Sequence, residues 1–316
     1  MSQPTKSDVH VNTPLSQVSI AYMQQPGDFI AGLVFPNVPV THQSDRYFSY
    51  AKKGWFKTEA QKRAPGSESA GSGFDIDNSP TYFADVWAVH KDIPDQVRGN
   101  ADVGINIDSD ATKWVTRQML LRQEKQFVSK YFTTSIWAED FTPGTLWDAG
   151  GSTPITDIKS KMNAVKLRTG YKPNILVVGP QVHTTLENHA TVLDRIKYTQ
   201  TAVLTEGILA SLFGVDRYLV ASAVEDTAAE GATATNAFMF GKNALLVYAA
   251  PQPSLMEPSG GYIFSWTGQA GNGPQGNRIK SFRMEHLASD RVEGEHSYDM
   301  KVVGSDLGVF FSSVIA

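Results

Sequence analysis

The chain has 316 residues, 41% hydrophobic and 19% charged, with 28 Lys plus Arg against 32 Asp plus Glu and a formal net charge of −4. Such a composition is globular, and a chain this long buries most of its surface, usually in two or more lobes. Without a basic excess, a nucleic-acid binder held by phosphate contacts is disfavoured. The absence of cysteine excludes disulfides, thiolate nucleophiles, zinc knuckles and iron–sulfur centres. The polar start Met1-Ser2-Gln3-Pro4 has no apolar core for a secretory signal, and the apolar runs at 244–251 and 309–316 are too short to span a bilayer. The expected setting is soluble and intracellular.

Residues 1–45 carry Pro4, Pro14, Pro26, Pro36 and Pro39, which disfavour long helices. Their apolar residues, among them Val18, Ile20, Phe29, Ile30, Leu33, Val34 and Phe35, call for an extended arm packed on something larger. Residues 46–98 read as a long two-stranded ribbon. Aromatic-rich halves, Arg46 to Phe56 and Tyr82 to His90, favour strands, and the flexible stretch Ala64 to Gly73 lies between them. The stretch 46–63 carries +5 and the stretch 64–97 carries −5, so cross-strand pairs of opposite charge are expected. A lone ribbon cannot bury Trp55, Phe56, Phe74, Tyr82, Phe83 and Trp87. These rings need another surface, in this chain or in a second copy.

The clearest helix is 108–132. Asp108, Ser109 and Asp110 offer capping oxygens, no Gly or Pro interrupts it, and Trp114, Leu121, Val128 and Phe132 recur at sevens and fours. Its length, roughly 35–40 Å, suits a strut. A second helix spans Ile155 to Arg168 and ends at Gly170. Ile175 to Val178 is a buried strand between breakers. Helices at 181–189 and 203–213, the latter closed by Gly214, precede a strand at 217–222. Residues 238–248 read as a hairpin turning at Gly241 to Asn243. Strands are expected at 262–266, 278–287, 296–303 and 307–315, with loops at 228–235 and 268–277. Strands and helices mix without βαβ alternation, so the fold class is α+β.

Chemistry is scarce. Gly271-Asn272-Gly273-Pro274-Gln275-Gly276 matches G-x-G-x-x-G, but a strand rather than a helix follows, so no helix N-terminus is there to hold a pyrophosphate. The phosphate-binding G-x-x-x-x-G-K-[ST], the G-x-S-x-G elbow and H-E-x-x-H are absent. His183 and Glu187 share a helix face while His189 points elsewhere, which fits a surface or capping role better than a metal site. Asp75-x-Asp77 lacks an Asp or Asn at its next alternate place, and Asn106-x-Asp108-x-Asp110 has Ala111 and Arg117 where a calcium loop needs Gly and Glu, so both are better read as turn and capping chemistry. The cationic aromatic run 46–57 could stack single-stranded nucleic acid, but the acids of the partner half oppose that. Neither catalytic nor cofactor nor metal residues are expected, and a structural role is.

The order of parts resembles the major capsid protein of tailed bacteriophages, with the Hong Kong 97-type fold. Alongside the arm, the charged ribbon and the long helix, the similar stretches are His90 to Asp102, Pro173 to Gly179, Leu209 to Asp216, Phe240 to Leu246 and Pro258 to Trp266. The resemblance covers nearly the whole chain from about residue 20, and the order of the segments carries it more than any one motif.

The resemblance implies an N-arm at 1–45, an E-loop at 46–98, and a P-domain at 99–170 with its spine helix at 108–132. It further implies an A-domain at 171–275 and terminal strands, 276–316, returning to the P-domain. It implies a subunit of an icosahedral shell around packaged double-stranded DNA, assembled in the host bacterial cytoplasm, and not an enzyme. Partners would be further copies in pentamers and hexamers, a separate scaffolding protein, a portal at one vertex and a decoration protein, with non-specific DNA contact and no membrane. Inter-subunit contacts would fall on Arg46, Tyr47, Tyr50, Lys52, Lys53, Trp55, Phe56, Lys57, Phe74, Asp75, Asp77, Tyr82, Phe83, Asp85 and Trp87. An encapsulin-like bacterial compartment shell is the close alternative. An α/β enzyme with a nucleotide or metal site, or a tail-tube or fibre protein, is the more distant one.

Overall fold

The computed structural model describes residues 26–50, 56–71, 73–101, 106–197, 205–253 and 257–316. The first 25 residues of the arm, Lys52, Lys53 and Trp55, and the side chain of Tyr50, lie outside that description. The arm contributes a one-turn helix, α1 (Ala31–Val34), and a strand, β1 (Asn37–Val40). Four short strands then build the ribbon: β2 (Ser44–Arg46), β3 (Ser49–Tyr50), β4 (Ile76–Asp77) and β5 (Thr81–Phe83). The long strand β6 (Asp85–Pro94), the short α2 (Asp95–Gly99) and the 25-residue α3 (Ile107–Tyr131) follow.

The long helix matches its expected position to within one residue. Its cap is Asn106, whose Oδ1 accepts the Ser109 N–H at 3.0 Å, rather than the expected oxygens of residues 108–110. Asp108 and Asp110 sit instead in the first turn, where the helix dipole favours negative charge. Ala111 and Val115 are buried in one small core near its start, and Phe127 and Tyr131 in another at its far end.

Beyond α3 come β7 (Asp140–Phe141), α4 (Pro154–Thr169), β8 (Ile175–Val178), α5 (Pro180–Glu187), α6 (Ala190–Ile196), α7 (Glu206–Phe213), β9 (Arg217–Val220), β10 (Val224–Asp226) and β11 (Asn236–Phe238). The chain continues through β12 (Ala244–Val247), β13 (Gly261–Trp266), β14 (Asn277–Met284), β15 (Ser289–Val302) and β16 (Gly308–Phe311). Gly170 and Gly214 end α4 and α7 in the left-handed conformation, φ 78° and 80°, as their positions predict.

Two five-stranded sheets organise the molecule. One runs β1-β13-β15-β14 with β6 also paired to β15, and α3 packs across β15 and β6. The other runs β7-β16-β12-β8-β9. Its core gathers Leu176, Val178, Leu246, Val309 and Phe311 with Ile158, Val165, Leu186 and Phe213 from the helices. A second core joins the arm to both sheets. There Phe35 meets Phe127, Tyr131 and Trp137 with ring centroids 5.2, 5.3 and 6.4 Å away.

Several expectations change. Residues 85–94 are not half of a free ribbon. They pair residue for residue with 298–289 of β15, so the two-stranded excursion is 44–83. Two acids here are matched far along the chain: Asp92 takes a forked pair of hydrogen bonds from Arg291 (2.7 and 3.0 Å), and Asp95, at the start of α2, takes one from Arg283 (2.6 Å each). At the five registered positions of the ribbon ladders, no opposite charges stand across from each other.

The expected hairpin at 238–248 is absent as well. All four residues of β12 are buried, and β8 and β16 occupy its two edges, while β11 pairs with β10. Of the terminal strands, β14 and β15 join the sheet under α3, whereas β16 closes the other sheet against β12. β13, expected among the segments of 171–275, pairs with β15. The G-x-G-x-x-G string is a turn leading into β14, as expected.

Candidate inter-subunit surface

The ribbon has a root and a tip with different environments. At the root, Phe264 of β13 lies between two tyrosine rings. Tyr82 stacks on it at 4.7 Å and 11°, and Tyr47 at 5.4 Å and 27°. Tyr82 is buried and its hydroxyl donates to the His42 carbonyl at 3.2 Å. Burial raises the proton affinity of both phenols, helped by Asp299 near Tyr47 and by Asp45 near Tyr82. The Asp299 carboxylate also accepts the Phe83 N–H at 3.0 Å. These contacts tie the ribbon's base to its own chain.

Trp87 is likewise engaged internally. It is half-buried against the core under α3, with the Arg122 guanidinium 4.0 Å over its ring. Tyr82 and Trp87 thus find a surface within their own chain, one of the two options their rings left open, and Tyr47 shares it.

The tip is different. Phe48, Phe56, Phe74 and Ile76 are each more than half exposed, as is Phe83 back at the root. Because Ile76 stands opposite position 50, alternation puts 48, 74 and 76 on one face of the ribbon and 49, 75 and 77 on the other. The second face is polar. Asp77 accepts from the Ser79 N–H and hydroxyl, both at 2.9 Å, which holds its carboxyl below the usual range. Arg46, Lys57, Asp75 and Asp85 are also exposed. Phe48 and Ile76 were not singled out from the sequence, although their period-two spacing with Tyr50 and Phe74 carried the signal. An open groove of about 980 Å³ separates the ribbon from the body, lined in part by Phe48, Phe56, Tyr171 and Leu307.

The weighed chemical alternatives find ordinary roles. His183 contacts Tyr218 (3.0 Å) and Glu187 (3.3 Å), and His189 caps α6 through the Thr191 N–H. Among the described residues, no group of three or more His, Asp or Glu side chains could hold a metal ion. Among them, too, no helix is long and apolar enough to cross a membrane.

A long helix on a strand-rich sheet, a second sheet backed by helices and a projecting ribbon make up the Hong Kong 97-type fold of shell-forming proteins. The chain is 22% identical over 317 residues, 96% of each chain, to the major capsid protein of Burkholderia phage BcepMu. Among solved structures it is similar to a phage-related protein from Bordetella bronchiseptica RB50, with a TM-score of 0.71 and 18% identity over 92% of this chain and 94% of that one. It is similar also to the SrpI encapsulin complex of Synechococcus elongatus (TM-score 0.60, 11% identity, 97% of both chains). The mature capsid of bacteriophage PhiM1 gives a TM-score of 0.59 at 12% identity, over 93% of this chain and 89% of that one. No family model matches the sequence.

Proposed function

We propose that the chain is the structural subunit of the icosahedral capsid of a tailed double-stranded DNA bacteriophage, assembling with itself as pentamers and hexamers to enclose the genome. The observation that carries this reading is the ribbon tip. Phe48, Phe56 and Ile76 are 54%, 61% and 52% exposed on a projection whose root is fixed. Apolar residues concentrated on a projection, with polar groups on its other face, mark a contact surface. Likeness over nearly the full length to a relative named major capsid protein supports the same assignment.

In this reading residues 1–43 are the N-arm, the E-loop is the ribbon of 44–83, and β6, α3 and β15 form the P-domain. The segments from β8 to β12 form the A-domain. A separate scaffolding protein, a portal and a decoration protein are the expected partners, with DNA touched only non-specifically. The net charge of −4 suits a wall along which DNA must slide.

The encapsulin-like reading stays as the alternative because an encapsulin shares the fold. Particles purified from the cells that make the protein should contain DNA in the first case and a protein cargo in the second. Electron microscopy of the expressed full chain, with and without co-expressed scaffold, should show closed shells. The double variant Phe48→Ser/Ile76→Ser should keep the protomer's thermal transition and lose the shells. Normal shells from that variant, or rods from the parent, would overturn the assignment.

A further inference from the structure

We propose that His189 is an acid-released cap of α6: with its ring neutral it fastens residues 190–196 to the body, and once the ring is protonated they lift away.

The hydrogen bonds around the ring fix its tautomer. His189 stands at the N-cap of α6, and its Nδ1 accepts the Thr191 N–H at 3.2 Å. A backbone N–H only donates, so Nδ1 carries no proton and the neutral ring keeps its proton on Nε2. Nε2 therefore donates to the Ser152 hydroxyl at 2.9 Å, and that buried hydroxyl donates in turn to the Ala149 carbonyl at 2.7 Å. One ring thus caps α6 and ties it to the loop ahead of α4. Three residues on, Val192 is buried in the core of the sheet β7-β16-β12-β8-β9, and Ile196 packs against the same core.

Protonation opposes this arrangement contact by contact. A proton on Nδ1 would face the Thr191 N–H, donor against donor. The Thr191 hydroxyl, 2.8 Å from the same nitrogen, can turn to accept it, but the amide is left without a partner. A cation would also sit at the positive end of the helix dipole. Burial acts in the same direction and holds the ring's proton affinity below the ordinary 6.5. The charged and titratable groups on the elements around it are Asp148 before α4, Asp157 in its first turn, His183 and Glu187 on α5, and Asp194 and Arg195 on α6. Asp148 accepts the Ala316 N–H, Asp157 accepts the Trp147 indole N–H, and Glu187 lies against His183. None of these acids forms an ion pair with the His189 ring.

The folded value lies below the unfolded one, so the cap is intact above pH 6.5 and is lost as pH falls below it. Losing a side-chain cap raises helix opening about fivefold, and a cation at the same end brings the total to roughly tenfold. Opening would uncover Val192 and Ile196 at the edge of their core while the sheet beneath keeps its ladders.

Hydrogen exchange on the full chain, read by mass spectrometry from pH 7.5 to 5 and corrected for intrinsic rates, tests this. Protection of amides 192–197 should fall about tenfold on acidification, while amides 175–178 of β8 lose none. Asparagine caps helices with an oxygen that does not titrate in this range, so His189→Asn should hold α6 at every pH. Nitrogen-15 spectra of the imidazole at pH 7.5 should place its proton on Nε2. The proposal is overturned by pH-independent protection of 192–197 in the parent, by equal losses at β8, by a proton on Nδ1, or by a pH dependence that survives in His189→Asn. A folded His189→Asn whose α6 is unprotected throughout also overturns it. Should the variant not fold, the parent series and the tautomer decide.

Discussion

Two buried titratable groups on facing elements should hide each other in the pH dependence of stability. His296 of β15 is buried, packed at 4.3 Å against the Tyr298 ring, with Nε2 3.0 Å from the Gln275 carbonyl, which it donates to as a neutral imidazole. Burial lowers its titration to about 4 from 6.5. Its stabilising contribution is therefore intact above pH 6.5 and is lost as pH falls towards 4. At 1.36 kcal/mol per pH unit that is about 3 kcal/mol.

Glu124 acts with the opposite sign over nearly the same range. Its folded value lies above its unfolded one, so stability declines as pH rises from 4.5 to about 7, also by about 3 kcal/mol. Between pH 4.5 and 6.5 the two slopes cancel. Denaturant unfolding of unassembled protein at fixed concentration should thus be nearly flat there. The variant Glu124→Gln should lose stability on acidification at about 1.4 kcal/mol per pH unit, and His296→Gln should gain at that rate. Below about pH 4.5 every form should weaken, because Asp92, Glu295 and Asp226 hold lowered values through their hydrogen-bond partners. A single variant that stays flat between pH 4.5 and 6.5 would refute the reasoning.

Two further outcomes follow from packing. Phe264→Ala removes the plate between Tyr47 and Tyr82; a loss of about 3–5 kcal/mol is expected, with new proteolytic cleavage in the ribbon between 56 and 71, and unchanged cleavage would show that the root is held by something else. Gly308→Ala would drive a Cβ into the buried Trp137 indole, so denaturant melts should show a cost of about 1–3 kcal/mol, and a neutral result would mean that the ring can retreat.

Local chemistry made much of the fold legible. Gly170 and Gly214 ended their helices where left-handed glycines belong, and Ile175 to Val178 was a buried strand because breakers bounded four apolar residues. What stayed hidden was non-local partnership. The acids of 85–95 looked like the complement of a basic strand next door, yet Asp92 and Asp95 are paired with Arg291 and Arg283, some 190 positions away. Gly241 suggested a hairpin by its turn chemistry, but β12 had two better edges to fill. Nothing in the sequence announces that Ile30 and Ala31 will point their amides at Glu124, some 93 positions away.

Dividing the ribbon into an anchored root and an exposed tip changes what must drive assembly. With Tyr47 and Tyr82 stacked on Phe264, the root of the projection has a surface in its own chain, and the exposed apolar residues of the tip remain to reward association. Fully burying a large apolar side chain is worth about 1.5–3 kcal/mol, and Phe48, Phe56 and Ile76 are little more than half exposed, so together they offer about 2.5–5 kcal/mol. Joining two molecules costs about 4–15 kcal/mol in lost freedom. One ribbon contact alone thus does not outweigh that cost, and a closed arrangement in which every copy both gives and receives a tip is the stable one. Sedimentation velocity across a concentration series should accordingly show protomers and complete shells with little dimer between them. A stable isolated dimer at micromolar concentration would mean that the tip is not the main source of association energy.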